Sequence, residues 1–109
     1  IGSAIDIMVN EFYIEIEEPE IRRVASISNG KAEISIITIP EESKITGKTI
    51  SEIVQNPNFP DDCIIAGIFD IKEDELIIPR GNQRIYAKNQ VFLVASEENI
   101  IQAASFLKS

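Results

Sequence analysis

The sequence contains no histidine, and this absence removes several kinds of active site at once. Imidazole supplies the usual zinc ligand sets, the base of Ser-His-Asp and Cys-His arrangements, and the commonest general base near neutral pH. The single cysteine, Cys63, cannot form an internal disulfide. Its place in an apolar run predicts a buried structural thiol in a reducing compartment. We therefore expect a domain that is not an enzyme, with a small enzyme as the rival that turnover by the purified chain would reveal.

Basic residues and long apolar runs are also scarce. The 109 residues include 10 Lys and Arg against 18 Asp and Glu, for a net charge of -8. This balance opposes binding to nucleic acid or to an anionic membrane surface, because both draw on clustered cations. No apolar run approaches the roughly 20 residues that a membrane-spanning helix needs. The length suits one modest core, and the start at Ile1, without a signal-peptide pattern, is what an excised fragment would show.

The beginning of the chain is predicted to form a helix followed by a β-ribbon. Residues 3–18 are typical of an amphipathic helix, because apolar side chains recur at spacings of three and four. The resulting stripe consists of Ile5, Met8, Phe12 and Ile16. The dipeptide Asn29-Gly30 between two β-rich runs predicts a hairpin. We expect the stripe to pack on another element or on a second chain.

Two capping signals predict two further helices. Thr49 and Glu52 form a Thr-x-x-Glu capping box for a short helix that ends near residue 55. Ser96 is a favourable N-cap for a last helix, whose first turn carries Glu97, a charge that the helix dipole favours.

Three apolar runs predict the remaining strands. Residues 63–70 and 91–95 are nearly continuous apolar stretches of strand length, which is typical of strands buried on both faces. Residues 76–78 form a short return strand that Pro79 ends, because proline cannot donate to the ladder. Together these elements predict an α+β fold, with a mixed β-sheet and helices packed on one side.

Two motifs suggest ligand binding but are explained more simply as structural features. Gly47-Lys48-Thr49 matches the end of a phosphate-binding loop, yet that pattern requires a glycine where this chain has Glu42. A glycine turn before a capped helix explains the same residues. The acidic pairs lack the spacing of a calcium loop, so we predict no metal site, while cation binding through these oxygens stays an open alternative to solvated corners.

The order of these pieces resembles the TrkA C-terminal domain, also called the RCK C-terminal domain, a regulatory module of potassium channels and transporters. The resemblance rests on the opening stretch at 39–50 (an apolar strand, Pro, acidic-Ser and Gly-Lys-Thr), the central strand at 64–68 and the Ile-Pro-x-Gly-Asn turn at 78–82. It implies that residues 34–109 form this regulatory domain. Residues 1–33 resemble the last helix and exit strand of a preceding RCK N-terminal half.

The resemblance also implies a site. In members that bind cyclic dinucleotides, the ligand lies at a dimer interface, and the matching positions and their neighbours give the expected ligand-binding residues: Ile64, Ile65, Asp70, Ile78, Pro79 and Arg80. Many members carry an arginine where this chain has Asp70, so phosphate binding is opposed unless Arg80 and Arg84 compensate. The effector itself is unknown: a nucleotide-type effector is one candidate, and NAD or ATP would bind the missing N-terminal half.

The function implied by the resemblance is a cytosolic, ligand-sensing regulatory domain of a potassium or other cation uptake or channel system. We expect a homodimer that is cytoplasmic and peripheral to the membrane through a membrane-embedded channel or transporter subunit. It would bind no nucleic acid and would not insert into the membrane itself. The alternatives are a structural dimerisation domain without a small-molecule ligand, and a regulatory domain of another membrane transporter.

Overall fold

In the computed structural model, which describes residues 21–109, a five-stranded sheet carries two helices. The strands are β1 (Ile21–Ile27), β2 (Ala32–Thr38), β3 (Cys63–Asp70), β4 (Glu75–Ile77) and β5 (Gln90–Ala95), and the helices are α1 (Ile50–Gln55) and α2 (Glu97–Lys108). The strand order across the sheet is β1-β2-β5-β3-β4. The predicted helix at 3–18 and its apolar stripe lie outside the described residues.

The sheet is antiparallel at every contact between neighbouring strands of residues 21–109. The expected α+β class is confirmed, but the expected mixed sheet is wrong. The chain does cross over from β2 through α1 to β3, and these two strands run in the same direction. However, β5 lies between them and is antiparallel to both. The crossover therefore creates no parallel neighbours.

The hairpin predicted at Asn29-Gly30 joins β1 to β2, as expected. Its loop consists of residues 28–31, because the last paired strand residues are Ile27 and Ala32. Within the loop, Ser28, Asn29 and Gly30 have positive φ, and Lys31 N–H donates to Ser28 O at 3.3 Å. Glycine and asparagine adopt this left-handed region at low cost, which is why the sequence turns here.

The core lies between one face of the sheet, which we call the inner face, and the helices. Side chains of residues paired across neighbouring strands share a face, and the inner face is marked by Ile37, Ile68, Val91 and Leu93, which are fully buried. The helices cover this face with Ile53 of α1 and with Ile100, Ala103, Ala104 and Leu107 of α2. Both helices are therefore packed on one side of the sheet, as predicted.

The opposite side of the sheet, which we call the outer face, is also apolar. Most of its residues are apolar, namely Ala25, Ile27, Ala32, Ile34, Ile36, Ile64, Phe69, Leu76, Phe92 and Val94, while Arg22, Thr38 and Gln90 are polar residues at its margin. No helix of residues 21–109 packs on it, and Ile36, although buried, is not part of the main core cluster. The prediction that β3 is buried on both faces is consequently wrong, because Ile64 and Ala66 are exposed.

Cys63 lies on the inner face and is buried, as predicted. Burial raises the pKa of its thiol to about 11 from an ordinary value of 9.0, because an apolar environment disfavours the thiolate. Because the unfolded thiol ionises at lower pH than the folded one, titration of Cys63 lowers the stability of the folded state as the pH rises from about 9.0 to about 11. Below pH 9.0 the thiol is protonated in both states and this loss is absent.

We expect iodoacetamide to label Cys63 about 100-fold more slowly in the folded chain than in urea at pH 8, since the thiolate is the nucleophile. Mass spectrometry of timed samples measures both rates. Equal rates in the two conditions would contradict the buried thiol.

Candidate functional site

The two loop motifs of the sequence meet beside α1. Gly47 has a φ of 86°, and its N–H donates to Ile85 O at 2.7 Å, while Ile85 N–H donates to Lys48 O at 3.0 Å. Thr49 and Arg84 form an isolated antiparallel bridge. The segment after the Ile-Pro-x-Gly-Asn turn is thus paired with the Gly-Lys-Thr stretch. The two motifs act together as one structural unit.

The capping box at the start of α1 is present as predicted. Thr49 Oγ1 accepts from Glu52 N–H at 3.2 Å, and Glu52 Oε1 accepts from Thr49 N–H at 2.8 Å. The hydrogen bond from Thr49 N–H is the largest cause that lowers the pKa of Glu52, which is the expected direction when a donor favours the carboxylate.

The first backbone donors of α1 are occupied by the chain itself. Ile50 N–H donates to Gln83 O at 2.9 Å, and Ser51 N–H donates to Gly81 O at 3.0 Å. A phosphate-binding loop leaves such donors pointing at the ligand. The Gly-Lys-Thr stretch is therefore a turn and a cap, which agrees with the plainer interpretation of its sequence.

The opening motif also has a structural role. Ser43 is buried, and its hydroxyl donates to Leu107 O at 2.6 Å, near the end of α2. Lys44 N–H donates to Ser109 O at 3.0 Å. Since the last carbonyls of a helix have no partner within the helix, the loop after β2 fixes the end of α2.

The expected ligand-binding residues do not form one cluster within a single chain. Ile64 and Ile65 point to opposite faces: Ile64 is 64% exposed on the outer face, whereas Ile65 is half-buried against the core. Continuing the register past Ile77, which pairs with Ile68, places Ile78 beside Gly67 on the outer face, and Ile78 is 67% exposed. Ile64 and Ile78 therefore belong to one exposed apolar surface.

Pro79 and Arg80 follow directly after Ile78 and lead into the turn beside α1. Pro79 is half-buried and Arg80 is exposed, with Arg80 O accepting from Gln83 N–H at 3.0 Å. Arg84, expected as a possible compensating cation, is engaged elsewhere, because its guanidinium donates to Gly47 O at 2.6 Å. Of the two arginines expected to compensate for Asp70, Arg80 is therefore the one that stays available to a ligand beside Ile78.

Asp70 lies at the far end of β3. It lies six positions after Ile64, which is about 20 Å along a strand. Its Oδ1 accepts from Glu73 N–H at 3.2 Å and so caps the turn between β3 and β4. Within one chain, Asp70 and Ile64 cannot contact the same small ligand.

A bulge in β3 determines which residues reach each face, and sequence reasoning missed it. The register shifts between Ile65 and Gly67, so Ile68 returns to the inner face and Phe69 to the outer face. A side chain at Gly67 would contact Leu76 and Phe92 of the outer face, at 3.7 and 3.9 Å. Glycine inside an apolar strand is a known sign of a bulge, and it was the available signal here.

Gly81 is packed closely against α1. A Cβ at this position would lie 2.5 Å from Ser51 Oγ but 3.9 Å from Ser51 Cβ. We expect Gly81→Ala to lower the free energy of unfolding by about 1 kcal/mol, because Ser51 Oγ must rotate out of its rotamer, and Ser51→Ala to restore most of this loss in the double variant. Urea denaturation of the four chains measures the coupling.

Gly47→Ala serves as the matched control for this cycle. An added Cβ at Gly47 meets nothing within 4 Å, so its cost of about 1–2 kcal/mol comes from the left-handed backbone alone. Ser51→Ala should not restore it. Equal rescue of both glycine variants would contradict the steric explanation at Gly81.

No helix of residues 21–109 is long and apolar enough to cross a membrane. Within the same residues, no group of three or more His, Cys, Asp or Glu side chains is placed to hold a metal ion. The exposed apolar side chains of the outer face, among them Ile64 and Ile78, make this face a candidate surface for function.

The chain is similar to known proteins across most of its length. A family model for the TrkA-C domain matches residues 34–108. The Trk system potassium uptake protein trkA homolog 1 of Methanosarcina mazei is 30% identical over 73 residues, which are 67% of this chain and 16% of that protein. The chain therefore spans a small part of this relative's length.

Solved structures share the fold at lower identity. A structure described as an RCK domain with cda has a TM-score of 0.57 at 16% identity, and the match covers 69% of this chain and 97% of that one. The crystal structure of the GsuK RCK domain has a TM-score of 0.62 at 16% identity, with 82% of this chain and 18% of that one covered.

Proposed function

Because this chain belongs to the TrkA C-terminal domain family of potassium transport systems, we propose that it is a regulatory domain that senses a small effector. In this proposal, two copies meet through their outer faces and hold the effector between them. The observation that carries the proposal is that Ile64 and Ile78 are both exposed on a sheet face that is mostly apolar. Ile64 is a position at which the family's cyclic-dinucleotide-binding members are expected to hold their ligand, and Ile78 directly precedes another such position, Pro79.

Exposure of the outer face supports the dimer. Ile27, Ile64 and Leu76 are each more than half exposed, and contiguous apolar patches on small proteins mark interaction surfaces. A second copy of the same face would cover them, since two-fold interfaces use the same patch on both partners. The described residues of a single chain leave this surface without a covering element.

The effector site would combine residues from both copies. Ile64, Ile78 and Pro79 would provide its apolar wall, with Arg80 beside them and Ile65 supporting Ile64 from the core side. Asp70 would reach the same ligand only from the partner copy, because it lies at the other end of β3. Effector binding would then shift the relative orientation of the two copies, with a coupling of about 1–3 kcal/mol.

The rest of the protein would pass this change to a membrane-embedded channel or transporter subunit. Residues 1–33 would be the tail of a preceding RCK N-terminal half, which would itself hold NAD or ATP. The domain would be cytoplasmic, would reach the membrane only through its partner, and would have no catalytic activity. The net charge of -8 supports the absence of direct contact with anionic lipid.

One observation favours a second candidate, a structural dimerisation domain without a ligand. The outer face around Ile64 is apolar, and few polar side chains of residues 21–109 converge on it, whereas ligand sites usually combine an apolar wall with several placed polar groups. Mass spectrometry of small molecules released from the purified chain separates the two candidates. A released effector supports sensing, and its absence supports the structural role.

Cyclic di-AMP tests the charge of the site. We expect the unmutated chain to bind it weakly and Asp70→Arg to tighten binding by about ten-fold or more, because a carboxylate a few Å from a phosphate repels it by about 1–4 kcal/mol. Calorimetry on both proteins measures the difference. Tight binding by the unmutated chain would overturn the electrostatic argument, and no binding by either would count against these residues as a cyclic-dinucleotide site.

A further inference from the structure

A second surface with ligand-binding chemistry lies at one end of the sheet, within a single chain. The end of β2, the start of β5 and the end of β3 meet there, since Thr38 and Phe69 both pair with Gln90. Beyond these strand ends is an open cavity of about 580 Å³. This volume falls within the range of about 300–1,000 Å³ that is usual for small-molecule sites.

The wall of this cavity is held rigidly by backbone hydrogen bonds. Residues 86–89 form a turn in which Tyr86 N–H donates to Asn89 Oδ1 at 2.9 Å. Lys88 N–H donates to Ile39 O at 2.7 Å, and Ile39 N–H donates to Asn89 O at 2.9 Å. The opposite wall is the β3–β4 turn, which Asp70 caps. The backbone that carries the side chains of both walls is therefore fixed before any ligand arrives.

These side chains combine an apolar surface with balanced charge. Tyr86 and Ile71 are about half exposed and belong to no core cluster. Two cations and two anions also line the cavity, namely Lys72, Lys88, Glu41 and Asp70. Within residues 21–109, neither lysine makes an ion pair, since the ion pairs there are those of Arg23.

We propose that this cavity binds a zwitterionic α-amino acid with an apolar side chain. Lys72 and Lys88 would bind its carboxylate, and Asp70 and Glu41 would accept hydrogen bonds from its ammonium group. Its side chain would pack on Tyr86 and Ile71. A net anionic ligand is disfavoured, because the chain carries a net charge of -8, whereas a zwitterion matches a lining whose charges sum to zero.

This site is separate from the proposed effector site at the outer face. It is complete in one chain, so it does not depend on dimerisation. Asp70 has its second carboxylate oxygen without a hydrogen-bond partner in the described residues, and it faces the cavity rather than Ile64. Asp70 is the one residue that the two proposals share, so the sites are tested separately through their other residues, Ile64 and Ile78 for one and Tyr86 and Lys72 for the other.

Nuclear magnetic resonance on the isotope-labelled chain tests the proposal with L-phenylalanine as the probe. We expect saturable amide shifts confined to residue 41 and to residues 70–72 and 86–89, with no shift at residues 64 and 78. Two analogues with one charge each, phenethylamine and 3-phenylpropionate, should bind about ten-fold more weakly or worse. Shifts at 64 and 78 alone, or none at about 10 mM probe, a concentration that detects even very weak ligands, would overturn the cavity assignment.

Variants identify the groups responsible. Tyr86→Ala and Lys72→Gln should each weaken binding of L-phenylalanine by about five-fold or more, and both side chains are exposed, so the fold should persist. Lys31→Gln, at an exposed lysine in the β1–β2 loop, is the matched control and should leave binding unchanged. Equal weakening by the Lys31 and Lys72 variants would show that binding depends on the net charge of the chain and not on a contact with Lys72, and it would overturn the proposal.

Discussion

Replacing Ile64 with aspartate is expected to convert the proposed dimer of this domain into a monomer. Ile64 is 64% exposed in the single chain, so the substitution should cost little stability in the monomer. In an outer-face dimer, however, it would place one carboxylate from each copy inside an apolar interface. Burying unpaired charges costs several kcal/mol, so we expect the dimer dissociation constant to rise by about 100-fold or more.

Ile101→Asp is the matched control for this experiment. Ile101 is 65% exposed, almost the same as Ile64, but it lies on α2 and not on the outer face. The control should remain dimeric. Sedimentation at several protein concentrations measures both variants and the unmutated chain. A well-folded monomer for the unmutated chain, or equal dissociation of the two variants, would contradict the proposed interface.

Replacing Arg23 with methionine should produce the largest loss of stability among the charged residues. Arg23 Nε lies 3.4 Å from Glu33 Oε1, and its Nη2 lies 2.9 Å from Glu97 Oε2. The Glu33 side chain is only 4% exposed, whereas that of Arg23 is 53% exposed. Removing the guanidinium leaves a buried carboxylate without its counter-charge. We expect a loss of about 2–3 kcal/mol, below the range for fully buried pairs because water can partly replace Arg23.

Two further variants test this explanation in urea denaturation. Glu33→Gln in the Arg23→Met background should recover part of the loss, since it removes the unpaired charge. Glu97→Gln should cost about 1 kcal/mol or less, because Glu97 is 57% exposed and surface pairs contribute little. Equal losses for Arg23→Met and Glu97→Gln would contradict a special role of the buried carboxylate.

Local sequence signals predicted the parts of the fold that local interactions determine. The capping box of Thr49 and Glu52 depends on residues three apart, and the hairpin at Asn29-Gly30 depends on a backbone region that few residues adopt. The strands at 63–70 and 91–95 were also predicted, because short apolar runs between turn residues are typical of buried strands. The family was recognised from short motifs in a fixed order.

Features set by distant residues were not predictable in this way. The position of β5 between β2 and β3 made the expected mixed sheet antiparallel, and no local pattern specifies it. An apolar run such as β3 has no periodicity, so its sequence does not reveal which side chains face the helices. Arg23 and Glu97 are 74 residues apart in the sequence. Such pairs are determined only when the sheet assembles.

The candidate site shows the same division. Ile64 and Ile78 share the outer face, as a single site would require. Asp70 was expected near them because the family resemblance places all of these positions at one dimer interface. In the structure it lies at the other end of β3, among cavity residues that no motif had identified. Proximity in the sequence was thus a poor guide to proximity in the site.

The central position of β5 has a consequence for how this domain is made. On the ribosome, β2 and β3 emerge well before β5, because 19 residues separate the end of β3 from the start of β5. Until β5 inserts, the edges of β2 and β3 that it will pair with lack hydrogen-bond partners. The β1–β2 and β3–β4 hairpins then remain separate. Such long-range closure is slow and leaves strand edges open to wrong pairing. Nascent chains that stop before Gln90 should therefore be substrates for chaperones or proteases, and not smaller versions of the folded domain.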